Sequence, residues 1–297
     1  MAKGPRGNIS QTATNMALIR ALETVKPKRH RLFGDPYAGR FLPGWQRAVM
    51  IPARLPTWRR MIECTFDRQA PGARTSGTAR TRLIDEWTRE AAWSGATQVV
   101  IMGAGFDCRA LRIAELEAVV IFELDRCEML NLKSDLLDDT AVRDIRRVPI
   151  DFLNEKPEDC LIAAGYSPTA KTLFIWEGVT NYLDVAAVDA AFDFFRRSAP
   201  GSRVIFTYVH ADALDGSFPA PGLVQLLDRL RRLGEAWTFG FRPQDVPDYL
   251  AQRGFRLIAD LGAAEYRALY WPRPRQTEGY EFYRIVLAEK RDAARQA

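Results

Sequence analysis

The stretch VVIMGAGFDCR, residues 99–109, carries an apolar run into two glycines one residue apart, then into an acid and a cation. Glycine at 103 and 105 lets the backbone turn tightly and approach a ligand with no Cβ in the way. A dinucleotide reader would add a third glycine at 108, so that the next helix packs close and its N-terminus faces a pyrophosphate. Cys108 stands there instead, and Asp107 lies within the turn. A carboxylate at that point repels a pyrophosphate and suits a ligand with positive charge, which argues against a nicotinamide-dependent oxidoreductase. Asp107 and Arg109 also have a structural reading, in which they cap the following helix and complement its dipole.

Two further acids follow apolar, β-rich runs. Asp125 closes FELD at the distance from Gly105 where an acid accepts from both hydroxyls of a ribose. Asp151, in VPIDF, stands where a carboxylate can accept from an exocyclic amine such as adenine N6. Each acid has a competing reading as a helix N-cap. A ligand with a ribose, an adenine, a cationic centre and no phosphate is S-adenosylmethionine (SAM). Glu177 directly follows the apolar run TLFIW, where an unpaired carboxylate would be costly, so a functional partner is expected. Of the two histidines, His30 sits among Lys28, Arg29 and Arg31 as a solvated loop residue. His210 follows the fifth apolar run, at the edge that faces ligands; a general base and an ordinary surface histidine both remain open. No group of His, Cys and carboxylates has metal-ligand spacing, and no metal is expected.

These residues need a frame that gathers strand ends, and the rhythm of the chain supplies one. Short β-rich runs, QVVIM, AVVIFEL, RRVPI, TLFIWE and SRVIFTYV, alternate with helical patterns near 109–116, 128–136, 157–164 and 185–198. Strand and helix in that alternation predict a doubly wound, mostly parallel α/β sheet. FRLIADL and YEFYRIVLAE complete seven strands, after a helix over 243–253, and the last is expected to return antiparallel at an edge. Ahead of the sheet, residues 1–95 read as a helical cap. It has an amphipathic helix over 11–26 with Ser10 as N-cap, a Gly/Pro-punctuated loop at FGDPYAGRFLPG, and helices over 54–69 and 78–93. Residues 96–297 form the expected core. Its segment 211–242 is too long for a plain connection and predicts a helical lid over the carboxyl edge of the sheet. Phe218, Leu223, Leu226, Trp237, Phe239 and Phe241 offer that lid an apolar wall.

Taken together, these motifs resemble the leucine carboxyl methyltransferase-like group of class I SAM-dependent methyltransferases, a Rossmann-like fold. The resemblance runs from SQTATNMALIRALE through FGDPYAGRFL, ARTRLID, VVIMGAGFDCRALRI, VIFELDRCEMLNLKSDLL, VPIDF and WEGVTNYL to APGSRVIFTYV. It implies that Arg80 pairs with the methionine carboxylate, a bidentate task that suits arginine, with Arg82 as rival. By the same resemblance Gly103, Ala104 and Gly105 line the methionine part, Asp125 takes the ribose, and Asp151 with Phe152 holds the adenine. Glu177 and Tyr182 fall near the reactive end of the cofactor. Bacterial members resemble small-molecule tailoring enzymes of secondary metabolism.

The expected reaction is O-methylation of a carboxylate on a small hydrophobic or aromatic metabolite, with a hydroxyl or phenol as the second acceptor class. Glu177, Tyr182 and His210 are the candidate catalytic residues. A carboxylate is already ionised at neutral pH, whereas an alcohol must lose a proton, to His210 or Glu177. A net charge of +5 raises the question of nucleic acid, but the cations are mostly arginines spread along the chain, with no concentrated stripe. Cys64, Cys108, Cys127 and Cys160 show no CxxC spacing and read as reduced thiols. The opening MAKGPRGNISQTATN lacks an apolar signal core, and no run is long enough to span a bilayer. A cytoplasmic protein with a small-molecule acceptor, and with neither nucleic acid nor membrane as partner, is expected; oligomeric state stays open.

Overall fold

The computed structural model of the protein describes residues 11–137, 143–152, 154–271 and 279–292. Its centre is a seven-stranded sheet of β1 (Gln98–Met102), β2 (Val120–Asp125), β3 (Ile145–Pro149), β4 (Thr172–Trp176), β5 (Arg203–Val209), β6 (Phe255–Gly262) and β7 (Tyr283–Lys290). The spatial order is β3-β2-β1-β4-β5-β7-β6. β1 pairs in parallel with both β2 and β4, so the chain reverses its winding direction at β1, the kind of switch point where open α/β sheets hold ligands.

β7 is antiparallel to β5 and to β6 and lies between them, which places β6, not β7, at the edge. Burial explains the order. The run Ile285–Ala288 of β7 is buried throughout, as a strand covered on both faces must be, while β6 alternates and exposes Arg256 and Ile258.

Helices cover both faces. On one side Val100, Phe122, Phe174, Trp176 and Phe206 pack against Phe192, Phe194 and Phe195 of the helix Val185–Phe195. On the other, Val99, Ile101 and Ile205 pack against Leu83, Ile84 and Trp87 of the long helix Ala73–Trp93. That helix begins five residues earlier than its apolar pattern suggests, and it buries its inner face against the sheet. The expected helix over 109–116 divides into Arg109–Arg112 and a 3-10 turn at Ala114–Leu116. The first helix is Gln11–Thr24, and Ser10, its expected cap, lies outside the described residues. Segment 211–242 contains one α-helix, Leu223–Arg232, and returns to the sheet through a bridge between Phe241 and His210. No described helix is long and apolar enough to cross a membrane.

Candidate functional site

The turn after β1 is held open by its glycines. Gly103 has φ +67° and Gly105 φ +40°, both in the left-handed region, and a Cβ on Gly103 would lie 2.6 Å from Val179 Cγ2. Ala104 N–H donates to the Leu124 carbonyl (2.9 Å), tying the turn to β2. Asp125, at the end of β2, braces it from below: Oδ2 accepts from Gly105 N–H and Oδ1 from Arg126 N–H, each at 2.7 Å. A carboxylate has about four acceptor sites, so both oxygens keep capacity for a diol. Burial pushes the Asp125 carboxyl above its ordinary range.

Beneath the turn runs a network of paired charges. Arg109 is buried and donates to Asp85 (3.0 Å), to Glu177 Oε2 (2.8 Å) and to Asp107. Arg80 donates through Nε to Glu177 Oε1 (2.8 Å) and stacks on the Tyr283 ring, 4.5 Å from its centroid. Arg112 closes the network on Asp85. Burial works to raise the Asp107 carboxyl, but Arg109 above all brings it down to about 2. Glu177 is treated alike: burial opposes its charge, and Arg109 and Arg80 outweigh burial to hold it below the ordinary carboxylate range. Asp107 also accepts from Arg109 N–H (2.7 Å), the first N–H of the helix Arg109–Arg112, although Cys108 and not Asp107 occupies the N-cap position. Its charge is therefore matched within the protein, and it is not a spare anion for a cationic ligand.

A cavity of about 390 Å³ opens above this floor, within the roughly 300–1,000 Å³ of small-molecule sites. Gly103, Ala104, Gly105, Asp125, Arg80, Glu177 and Tyr182 all line it. Its other wall is helical: Met16 from the first helix, Phe66 from the helix Pro56–Gln69, and Leu226, Arg229 and Leu230 from the helix Leu223–Arg232. Trp237, Tyr280 and Tyr283 complete that wall. Tyr280 has φ +67°, strained for a side chain of its size, and its ring packs against Phe282 at 4.9 Å. Among the described residues, six arginines border the cavity. Arg20, Arg80, Arg109 and Arg112 are ion-paired, whereas Arg126 and Arg229 have no salt bridge among the described residues.

Other expected residues stand elsewhere. Asp151 is exposed and accepts from Asn154 Nδ2 (2.7 Å) in the turn beyond β3, and Phe152 packs on the core; neither lines the cavity. His210 is absent from the lining too. Its Nδ1 accepts from Asp212 N–H (3.2 Å) and its ring lies 5.0 Å from Phe218. Arg82 pairs with Glu86 (2.7 Å) and donates to the Leu32 carbonyl, away from the cavity that Arg80 borders. Of the apolar wall expected in 211–242, Leu226 and Trp237 face the cavity; Phe239 and Phe241 join the main core, and Leu223 and Phe218 a smaller one. Sequence reasoning missed Arg229, Tyr280 and Tyr283, and missed Arg109 as the hub of the network. Arg229 left a signal, as a cation within the apolar-striped LLDRLRRL.

The residues present fit SAM. The glycine turn admits close approach, Asp125 keeps acceptor capacity for the ribose, and the cavity has the volume of a small-molecule site. Comparison with known proteins agrees. Residues 13–196 match the leucine carboxyl methyltransferase family. The chain is 37% identical over 216 residues to a Streptomyces coelicolor protein named as a SAM-dependent methyltransferase, covering 68% of this chain and 67% of that one. A Mycobacterium marinum protein of the same name is 31% identical over 290 residues, 87% of this chain and 86% of its own. Among solved structures, a Thermobifida fusca protein titled a methyltransferase superposes with TM-score 0.58 at 17% identity, covering 91% of this chain and 97% of that one. A Streptomyces avermitilis protein of the duf574 family gives 0.59 at 13%, covering 92% and 96%. At those identities the two structures speak for the fold alone.

Proposed function

The chain belongs to the leucine carboxyl methyltransferase family and is a SAM-dependent methyltransferase, and from that premise we propose that it methylates a carboxylate oxygen of a small, largely apolar metabolite. SAM, when bound, supplies an electrophilic methyl group on a sulfonium. Gly103, Ala104 and Gly105 would lie against its methionine part, Asp125 would accept from its ribose, and Arg80 is the candidate for its carboxylate, sharing itself with Glu177. The work left to the protein is to align the acceptor with the methyl carbon and to exclude water. Met16, Phe66, Leu226, Leu230 and Trp237 supply the dry wall for that task.

One observation carries the carboxylate reading: apart from Asp125, whose oxygens brace the glycine turn and are assigned to the ribose, no carboxylate or imidazole in the described lining is poised to take a proton from the acceptor. Glu177 and Asp107 are held ionised by arginines and are weak bases, and His210 is not in the lining. Tyr182 and Tyr283 are pushed up by burial, Tyr283 to about 12, and are protonated at neutral pH. A carboxylate acceptor needs no base, and Arg229, on the acceptor side with no ion pair among the described residues, offers it a cation.

The test is to incubate the protein with methyl-labelled SAM and matched panels of lipophilic carboxylates and phenols. A methyl ester, which releases labelled methanol in mild alkali, is the expected product. Label recovered only in alkali-stable ethers would reject the carboxylate reading in favour of a hydroxyl acceptor.

A further inference from the structure

The helix Pro56–Gln69 has no buried residue along its fourteen positions, and it belongs to a stretch of unusual composition. From Pro36 to Ile62 the chain carries Arg40, Arg47, Arg54, Arg59 and Arg60 and no carboxylate. The same stretch turns large apolar side chains outward: Trp45 is 68% exposed, Ile51 77%, Leu55 63% and Met61 51%. They form one surface. Trp45 and Val49 lie one turn apart on the helix Gly44–Met50, and the exposed Trp58 donates its indole N–H to the Val49 carbonyl (3.0 Å). Ile51 and Leu55 lie on the short connection between the two helices.

Arg47 spends its guanidinium on the Leu42 and Arg40 carbonyls, and Arg59 reaches the Ala53 carbonyl. Neither these two nor Arg54 and Arg60 form a salt bridge among the described residues. An apolar patch ringed by uncompensated arginines wants an occupant that is apolar in depth and anionic at its rim. A second copy meeting this face would set the same arginines against one another. A nucleic acid would satisfy the cations but leave Ile51, Leu55 and Met61 without gain.

We propose that residues 44–62 dock the protein on the surface of an anionic lipid bilayer, with Trp45, Ile51, Leu55 and Met61 entering the interface and the arginines meeting headgroup phosphates. The lack of a helix that could cross a bilayer bears on spanning one, not on lying against one. Docking also serves the site. Phe66 lines the cavity eight residues along the helix from Trp58, about 12 Å at the helical rise, so a lipophilic acceptor leaving the bilayer has a short path inward. The proposal stands apart from which acceptor atom takes the methyl group.

The experiment is co-sedimentation of the full chain with vesicles of equal parts phosphatidylglycerol and phosphatidylcholine, against phosphatidylcholine alone. The chain is expected to pellet with the anionic vesicles and to be released by added salt. Exchanging an inserted aliphatic side chain for a charge should weaken partitioning about tenfold or more in Ile51→Glu/Leu55→Glu. Arg54→Glu/Arg60→Glu should also weaken it, with melting temperature and SAM affinity of both variants as in the parent. Brominated lipid should quench tryptophan fluorescence of the unaltered chain, a readout that needs no variant. Absent or equal partitioning into the two vesicle types, indifference to both double substitutions, or no quenching overturns the proposal. So does self-association lost in Ile51→Glu/Leu55→Glu, or oligonucleotide binding lost in Arg54→Glu/Arg60→Glu, with vesicles left unbound.

Discussion

The two walls of the cavity are built on different terms. The sheet wall is made of strand ends and a glycine turn, and Arg80, Arg109, Arg112, Asp85, Asp107 and Glu177 are matched one against another beneath it. The helical wall comes from three helices far apart in sequence, is mostly apolar, and carries Arg229 without an ion pair among the described residues. A wall with paired charges and a braced backbone is pre-organised for one ligand. A wall of helix faces is easily re-cut by substitution, and there acceptor specificity belongs.

The contrast breaks most severely at the hub. Arg109→Met removes the shared partner of Asp85, Asp107 and Glu177 and should cost about 3–5 kcal/mol, read by denaturant unfolding. The same network sets an acid limit. The Glu177 and Asp107 carboxyls sit lower in the folded protein than their ordinary 4.5 and 3.8, so their stabilisation is complete above those values. It is lost as pH falls through the folded values, Asp107's near 2, and a pH series of melting temperatures should show that fall weakened in Arg109→Met.

Gly103→Ala comes next. A left-handed backbone costs a side chain roughly 1–2 kcal/mol, before the clash with Val179 is counted. Calorimetry should find weakened SAM uptake as well. On the helical wall, exposed Arg229 is the acceptor's cation, and Arg229→Ala should raise KM for a carboxylate acceptor up to about tenfold, the worth of one charge-assisted bond, with SAM affinity unchanged. A parallel loss of SAM affinity would erase the division between the walls. The smallest effect is expected at His210: His210→Ala should leave turnover within about twofold, since its half-buried ring lies outside the cavity.

The sequence made the sheet wall legible because its signals are local. Apolar β-rich runs, a glycine pair and Asp125 at its spacing lie within thirty residues and need no tertiary partner to be noticed. The place of β7 was misread: the last strand was expected at an edge, although the apolar run IVLA is that of a strand covered on both faces and β6 takes the edge instead. The Arg109 hub was not legible. Its partners stand 24 and 68 residues away, and only the fold brings them together. Asp151 shows the limit of strand-end reasoning: it ends an apolar run as Asp125 does, but it stands exposed in the turn beyond β3, accepting from Asn154, and does not line the cavity. Arg229 and Tyr280 belong to the far wall, where no spacing rule connects residues drawn from a helix and from the distant segment before β7.

Asp125→Ala tests most directly whether the braced turn at the carboxyl edge of β1 and β2 receives the methyl donor. Losing a charged acceptor of the ribose is worth about 1.5–3 kcal/mol, so titration calorimetry should report SAM binding weakened about ten- to a hundredfold. Acceptor binding should be unaltered. SAM affinity equal to that of the parent protein would contradict the account at its centre.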